Sequence, residues 1–221
     1  MLAGVIFDFD GVIVDSHSVH MQAWKALFRS MGKAVGDKEL SFVVEGAKRE
    51  EILRRFLGDL TPEQIKLYGA EKEGLYQARA SELKLVCGVT EFLGQVEEAR
   101  VPIAVATSGS RRRVEQTLET FGLLKRFHTI VTAEDVARGK PDPALFHLAA
   151  RRLQVDADQI LVCEDAVAGV MAGGTGLLRS LGFHGMTGNV IAASTGSAAI
   201  RNRIRRDIST SMRRSLSRIR A

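Results

Sequence analysis

The sequence predicts an α/β protein: a doubly wound parallel sheet with an inserted α-helical cap subdomain. Short β-rich apolar runs alternate with longer amphipathic segments, the order expected of parallel strands joined by helical crossovers. The polar groups of interest follow directly on those runs, where such sheets place their ligand crevice. After Asp15, about seventy residues pass with helical periodicity and no convincing strand, far more than one crossover needs.

The strands are LAGVIF (2–7), VPIAVAT (101–107), HTIVTA (128–133) and QILVCE (159–164), and LLRSLGF (177–183) can supply another. Helices are expected over 111–121 and 142–153 between them. The insert reads as helices over 17–31, 48–57 and 62–83. Pro62 marks the start of the last of these, behind Thr61 as N-cap and with Gln64 in the first turn. The expected division is therefore an α/β core of 1–14 and 88–193, a helical cap of 15–87, and a basic tail of 194–221.

At 221 residues, with 45% hydrophobic and 26% charged, the chain suits one medium domain or a core with a smaller insert. No apolar stretch approaches a membrane span, and the N-terminus lacks the basic-then-apolar order of a signal peptide. Cys87 and Cys163 are too few for a disulfide framework or a zinc site, so a reduced, cytoplasmic setting is the default. Net charge is +5, but residues 184 onward hold eight Arg and one Asp, which leaves 23 basic against 25 acidic groups upstream. The body is therefore near neutral, and nucleic-acid binding is not expected of it.

Four strand ends carry D-F-D-G (8–11), T-S-G-S (107–110), G-K-P-D-P (139–143) and E-D (164–165). Converging Asp8, Asp10, Glu164 and Asp165 would repel strongly if ionised and unpaired. A hard divalent cation resolves that: Mg²⁺ takes a few carboxylate oxygens and commonly bridges to substrate phosphate. Lys140 and the Thr107 hydroxyl are then placed for the other phosphate oxygens. A carboxylate is also a competent nucleophile toward phosphorus. Asp8, first after its strand, suits that role; Asp10, two residues on, suits acid–base work. Gly11 permits the tight turn that follows.

Taken together, DxDGVxxDS, a strand ending in Thr/Ser, a KPxP lysine and a late ED pair resemble the four motifs of the haloacid dehalogenase superfamily. The likeness covers roughly residues 1–183. It is closest to the β-phosphoglucomutase-like and sugar-phosphate phosphatase group, on H-x-x-x-W (His20, Trp24) and G-x-x-R-E (Gly46, Arg49, Glu50) in the insert. The resemblance implies a Rossmann-like core, Asp8 as phosphorylated nucleophile and Asp10 as general acid/base. It implies Mg²⁺ on Asp8, Asp165 and the backbone carbonyl of Asp10, with Glu164 in support. Thr107, Lys140 and Ser108 would hold the phosphoryl group, and His20, Gly46 and Arg49 would meet substrate.

Each position also has a plainer reading. Asp-Gly is a common turn, Thr107 can cap the next helix, and Lys140 can be a solvated loop lysine. Arg49 stands between a solvated helix face and a substrate-phosphate contact. His20 fits a core histidine as well as a place near Asp10, Trp24 fits packing, and Lys72, in a helix rich in exposed charge, is a minor candidate. A cap on two short connections can close over a substrate and exclude water, with discrimination residing near 17–24, 45–52 and 72–79. The expectation is a Mg²⁺-dependent phosphatase acting on a small phosphorylated metabolite of sugar-phosphate or phosphoglycolate type, as a monomer or weak dimer. The alternatives are a hexose-phosphate mutase and a non-catalytic phosphate-binding regulator. In the tail the resemblance fails; Ile200, Ile204, Ile208, Met212 and Leu216 fall at i, i+4 spacing among arginines. That pattern fits either a basic amphipathic helix of unknown partner or a disordered extension.

Overall fold

The structure, a computed structural model, describes residues 2–45, 47–173, 179–183 and 190–191. In chain order the elements are β1 (Gly4–Phe7), β2 (Val14–Asp15), α1 (His17–Ser30), α2 (Asp37–Leu40), α3 (Arg49–Leu57) and α4 (Pro62–Gln77). There follow β3 (Lys84–Leu85), α5 (Val89–Glu98), β4 (Ile103–Ala106), α6 (Arg111–Thr120) and β5 (Thr129–Val131). Last come α7 (Ala144–Leu153), β6 (Ile160–Glu164), α8 (Val167–Gly173), β7 (Arg179–Phe183) and β8 (Val190–Ile191). The chain divides into two compact units. One combines Met1–Val14 with the chain from Leu85 onward; the other is Asp15–Lys84, ending three residues before the expected limit at 87.

In the α/β unit the six-stranded sheet runs β5-β4-β1-β6-β7-β8. Neighbours pair in parallel except β8, which runs antiparallel to β7. Helices cover both faces, which is why β1, β4 and β6 are apolar up to Glu164, the last residue of β6. On one face Ile6, Ala104, Ala106 and Val162 pack under Leu145, Phe146, Ala149 and Leu153 of α7. On the other, Phe7 meets Phe92 of α5 edge-on at 5.7 Å and Phe127 at 6.2 Å. The sequence reading had not named α5, although Val89, Phe92, Leu93 and Val96 recur at helical spacing.

Register is what prepares the site. Phe7 lies opposite both Val105 and Cys163, so β1, β4 and β6 end at the same level. The residues just beyond them, Asp8 and Thr107, and Glu164 at the end of β6, therefore emerge along one edge of the sheet. After β1 the chain turns back at once: Gly11 donates to the Val14 carbonyl at 2.8 Å, and its φ of 75° is a conformation that suits glycine.

The helical unit has its own core. Trp24, Leu27 and Phe28 of α1 pack with Leu40, Ile52 and Leu53. Trp24 stacks on Phe28 with ring centroids 5.7 Å apart, so the indole is a packing residue. Thr61 and Gln64 form a reciprocal capping box at the start of α4, with Pro62 in its first turn. The helix expected over 62–83 ends at Gln77, and a short 3₁₀ turn at Ala80–Glu82 follows. Strands β2 and β3 pair as a separate two-stranded sheet. Among the described residues no helix is long and apolar enough to cross a membrane. The readings made for 194–221 lie outside the described residues.

Candidate active site

Asp8 is buried at the end of β1, and its N–H donates to the Cys163 carbonyl at 2.9 Å, tying it to the end of β6. Glu164, the last residue of β6, is fully buried. Lys140, just before the cis Lys140–Pro141 peptide, reaches both: its Nζ lies 2.9 Å from Asp8 Oδ1 and donates to Glu164 Oε1 at 2.7 Å. The other Glu164 oxygen accepts from the Asp165 N–H at 3.0 Å. Lys140 is thus buried in an ion-pair centre, and the solvated-loop reading fails. Room for Glu164 comes from Gly169 of α8, where a Cβ would stand 1.3 Å from Oε1.

Asp8, Glu164 and Asp165 each offer an oxygen within 4.8 Å of the others. Asp8 and Glu164 are buried about the one Lys140 ammonium, and this shows in Asp8. Burial first, and the Glu164 carboxylate second, push its pKa up to about 7, although Lys140 pulls the other way. Burial works against the charge on Lys140, but the two carboxylates hold its ammonium charged well above the usual lysine range. Burial and Glu164 push the neighbouring Cys163 thiol far up, so it is neutral and unsuited to attack. Oxygen ligands, a charge deficit and closeness of this order suit a hard divalent cation such as Mg²⁺.

The carboxylate of Asp10 is engaged elsewhere. Its two oxygens accept from Nη1 and Nη2 of Arg113, both at 2.9 Å, a bidentate fork. Sequence reading missed Arg113; the signal is that it falls on the buried face of α6 with Val114, Thr117 and Leu118. Thr107 is buried, and its hydroxyl accepts from the Gly109 N–H at 3.1 Å. It does not cap α6; the Arg111 N–H at the head of that helix donates to Glu134 Oε1 at 3.1 Å instead. Ser108 is exposed at the same strand end.

In the helical unit, His20 is half-buried, its Nδ1 2.6 Å from Lys72 Nζ and its ring 4.5 Å from Tyr76. Lys72, a minor candidate in a helix rich in exposed charge, is itself buried, with its ammonium 5.0 Å from the Tyr76 ring and 5.6 Å from Trp24. Arg49 begins α3 and is exposed, its stem so close to Gly69 that a Cβ there would meet its Cδ at 2.7 Å. Gly46 lies outside the described residues. The candidates thus fall in two groups: Asp8, Asp10, Thr107, Ser108, Lys140, Glu164 and Asp165 in the α/β unit, His20 and Arg49 in the helical unit.

The haloacid dehalogenase-like hydrolase family model matches residues 5–180. The chain is 35% identical over 173 residues to validoxylamine A 7′-phosphate phosphatase of Streptomyces hygroscopicus subsp. limoneus, covering 76% of this chain and 78% of that one. It is 33% identical over 181 residues to β-phosphoglucomutase of Bacillus subtilis, covering 77% and 78%. Among solved structures, β-phosphoglucomutase from Clostridium difficile superposes with a TM-score of 0.74 at 26% identity, covering 82% of this chain and 84% of that one.

Proposed function

The chain belongs to the haloacid dehalogenase-like hydrolases, and on that premise we propose that it is a phosphatase releasing inorganic phosphate from a small sugar-phosphate or phosphoglycolate-type metabolite. The single observation that supports this most is Lys140 bridging Asp8 and Glu164 beside Asp165 at one sheet edge. Asp8 attacks phosphorus, its oxygen forming the new P–O bond as the bond to the leaving oxygen breaks. Asp10 is the acid–base group: on leaving the Arg113 fork it takes up a proton from solvent and gives it to that leaving oxygen, then takes one from the water that opens the aspartyl-phosphate. Lys140 and the Thr107 hydroxyl hold phosphoryl oxygens, and Ser108 adds a further donor at the same strand end. Mg²⁺ would be held by Asp8, Asp165 and the Asp10 carbonyl with Glu164 in support, and would supply positive charge against the phosphate. The cytoplasmic setting is part of this proposal, supported by two unpaired cysteines.

The mutase is the second reading, favoured by the buried Lys72 beside His20 and by Arg49, basic groups in the helical unit of the kind a second phosphate needs. Incubation with Mg²⁺ and a panel of sugar phosphates and phosphoglycolate decides. Free phosphate is the expected product. An isomerised sugar whose formation needs a bisphosphate identifies the mutase, and neither product overturns both enzymatic readings in favour of the non-catalytic regulator.

Metal affinity should follow the ionisation of Asp8. With that group near pH 7, the apparent Kd for Mg²⁺ is expected to be about tenfold weaker at pH 6 than at pH 8. Metal-free folding runs the opposite way. The folded pKa is raised above the ordinary 3.8, so its contribution to stability is present at low pH and is lost as pH rises through about 7. Calorimetric Mg²⁺ titration at three pH values checks the first statement, and a flat profile contradicts it.

A further inference from the structure

We propose that Asp135 and Glu134 are positioning residues: they hold the Thr107–Ser108 loop and the Lys140 loop in a fixed relation and so set the grip on phosphoryl oxygens. The inference rests on the phosphoryl-binding reading of Thr107, Ser108 and Lys140 given above. The two loops follow different strands. Thr107 and Ser108 come directly after β4 and lead into α6, whereas Lys140 lies on the segment from β5 to α7. Their relative placement therefore depends on what joins those segments, and the turn just after β5 does so.

Of the three arginines that open α6, Arg112 is exposed, Arg113 turns to Asp10, and Arg111 donates to Asp135 Oδ2 at 2.7 Å. From the other side Arg152, in the last turn of α7, donates to Asp135 Oδ1 at 2.8 Å. Both arginines also donate to the Ile130 carbonyl of β5, each at 3.1 Å. Asp135 Oδ2 accepts in addition from the N–H of the fully buried Thr132 at 2.8 Å and from its hydroxyl at 3.0 Å. One carboxylate thus ties together the end of β5, the head of α6 and the end of α7. Burial works against its charge, yet the Thr132 N–H, Arg152, the Thr132 hydroxyl and Arg111 hold it well below the usual carboxylate range.

Glu134 adds a main-chain bond to the same junction. Its Oε1 accepts from the Arg111 N–H at 3.1 Å, while Ser110 at the N-cap makes no side-chain cap bond. The head of α6 is thus capped from the turn that opens the Lys140 segment, although a local capping residue is at hand. Onward to Lys140 the segment is held as well. Val136 packs against the sheet core, the Asp142 N–H donates to the Gly139 carbonyl at 3.1 Å, and Asp142 Oδ1 accepts from the Ala144 N–H at 3.0 Å. Partly exposed ion pairs of this kind add little to stability. What a carboxylate gripped from three elements supplies is geometry, and a small misplacement of binding groups is costly. Neither residue is placed against substrate; both act through the two loops. The acids of the candidate metal site stand instead at the ends of β1 and β6.

The test separates phosphate from metal. The full-length protein and its Asp135→Asn, Glu134→Ala and Glu134→Gln variants are titrated with Mg²⁺ alone, and with inorganic phosphate in the presence of Mg²⁺. Calorimetry gives both Kd values, well below the melting temperature that scanning fluorimetry gives for each variant. Asp135→Asn is expected to weaken phosphate about tenfold and to leave the Mg²⁺ Kd within about twofold. Glu134→Ala should weaken phosphate about threefold. Glu134→Gln, whose amide oxygen still accepts from the Arg111 N–H, should restore the parent value. Equal weakening of phosphate and Mg²⁺ would make these residues merely structural, and unchanged phosphate affinity in Asp135→Asn would remove the link; either result overturns the inference. A Glu134→Gln variant as weak as Glu134→Ala overturns the part given to Glu134. A parent protein that binds Mg²⁺ but no phosphate refutes the phosphoryl-binding reading itself, and this inference with it. Should Asp135→Asn not fold, the two Glu134 variants carry the same comparison.

Discussion

Asp8→Asn is expected to lower kcat by about 10⁴-fold or more, because the amide cannot attack phosphorus as the carboxylate does. Asp10 is committed to the Arg113 fork, and Glu164 is fully buried with both oxygens engaged. Asn fills the same volume, so the fold should persist. The pKa of Asp8 near 7 shows that its charged form is disfavoured where it sits, chiefly by burial. Removing that charge should therefore leave the metal-free melting temperature at pH 8 unchanged or higher. Phosphate release and scanning fluorimetry together check this. Undiminished turnover would end the aspartyl-phosphate proposal, whereas a collapsed melting temperature would mean that the variant reports on folding instead.

Lys140→Met is the second large effect. The stem is kept and the ammonium lost, which leaves Asp8 and Glu164 buried with no cation between them. Breaking a buried pair this way costs about 3–5 kcal/mol, or roughly 10 °C in melting temperature for a chain of this size. The loss should be smaller at pH 5 than at pH 8, since protons can then neutralise the acids. Mg²⁺ should restore part of the stability but little of the turnover, because Lys140 is also placed for phosphoryl oxygens. An unchanged melting temperature at pH 8 would contradict the charge balance described for the cluster.

What was legible in the sequence is what depends on strand ends. Asp8, Thr107, Lys140 and Glu164 stand out because acids, a hydroxyl and a lysine follow apolar runs at positions that a parallel sheet brings level. Side chains whose meaning depends on which way a helix faces were harder to read. Arg111, Arg112 and Arg113 are identical letters with three different environments, and only the rotation of α6 tells them apart. Lys72 stands among charged sequence neighbours, yet α4 turns it toward aromatic rings. Gly109 and Gly169 carry no chemistry, and their importance lies in the space they leave for Arg113 and Glu164. That space exists only after residues distant in the chain have met.

The position of β1 in the sheet has a consequence for synthesis on the ribosome. This central strand is the first to be translated, yet Val5 must wait for Ile103 and Leu161, its partners in β4 and β6. At about 5–20 residues per second, the first of those neighbours arrives on the order of ten seconds later. During that interval Asp15–Lys84 is already out and can bury its own aromatic cluster, while the nascent VIF segment stays unpaired and open to aggregation. The strand left longest without its partners is thus the one at whose end Asp8 stands.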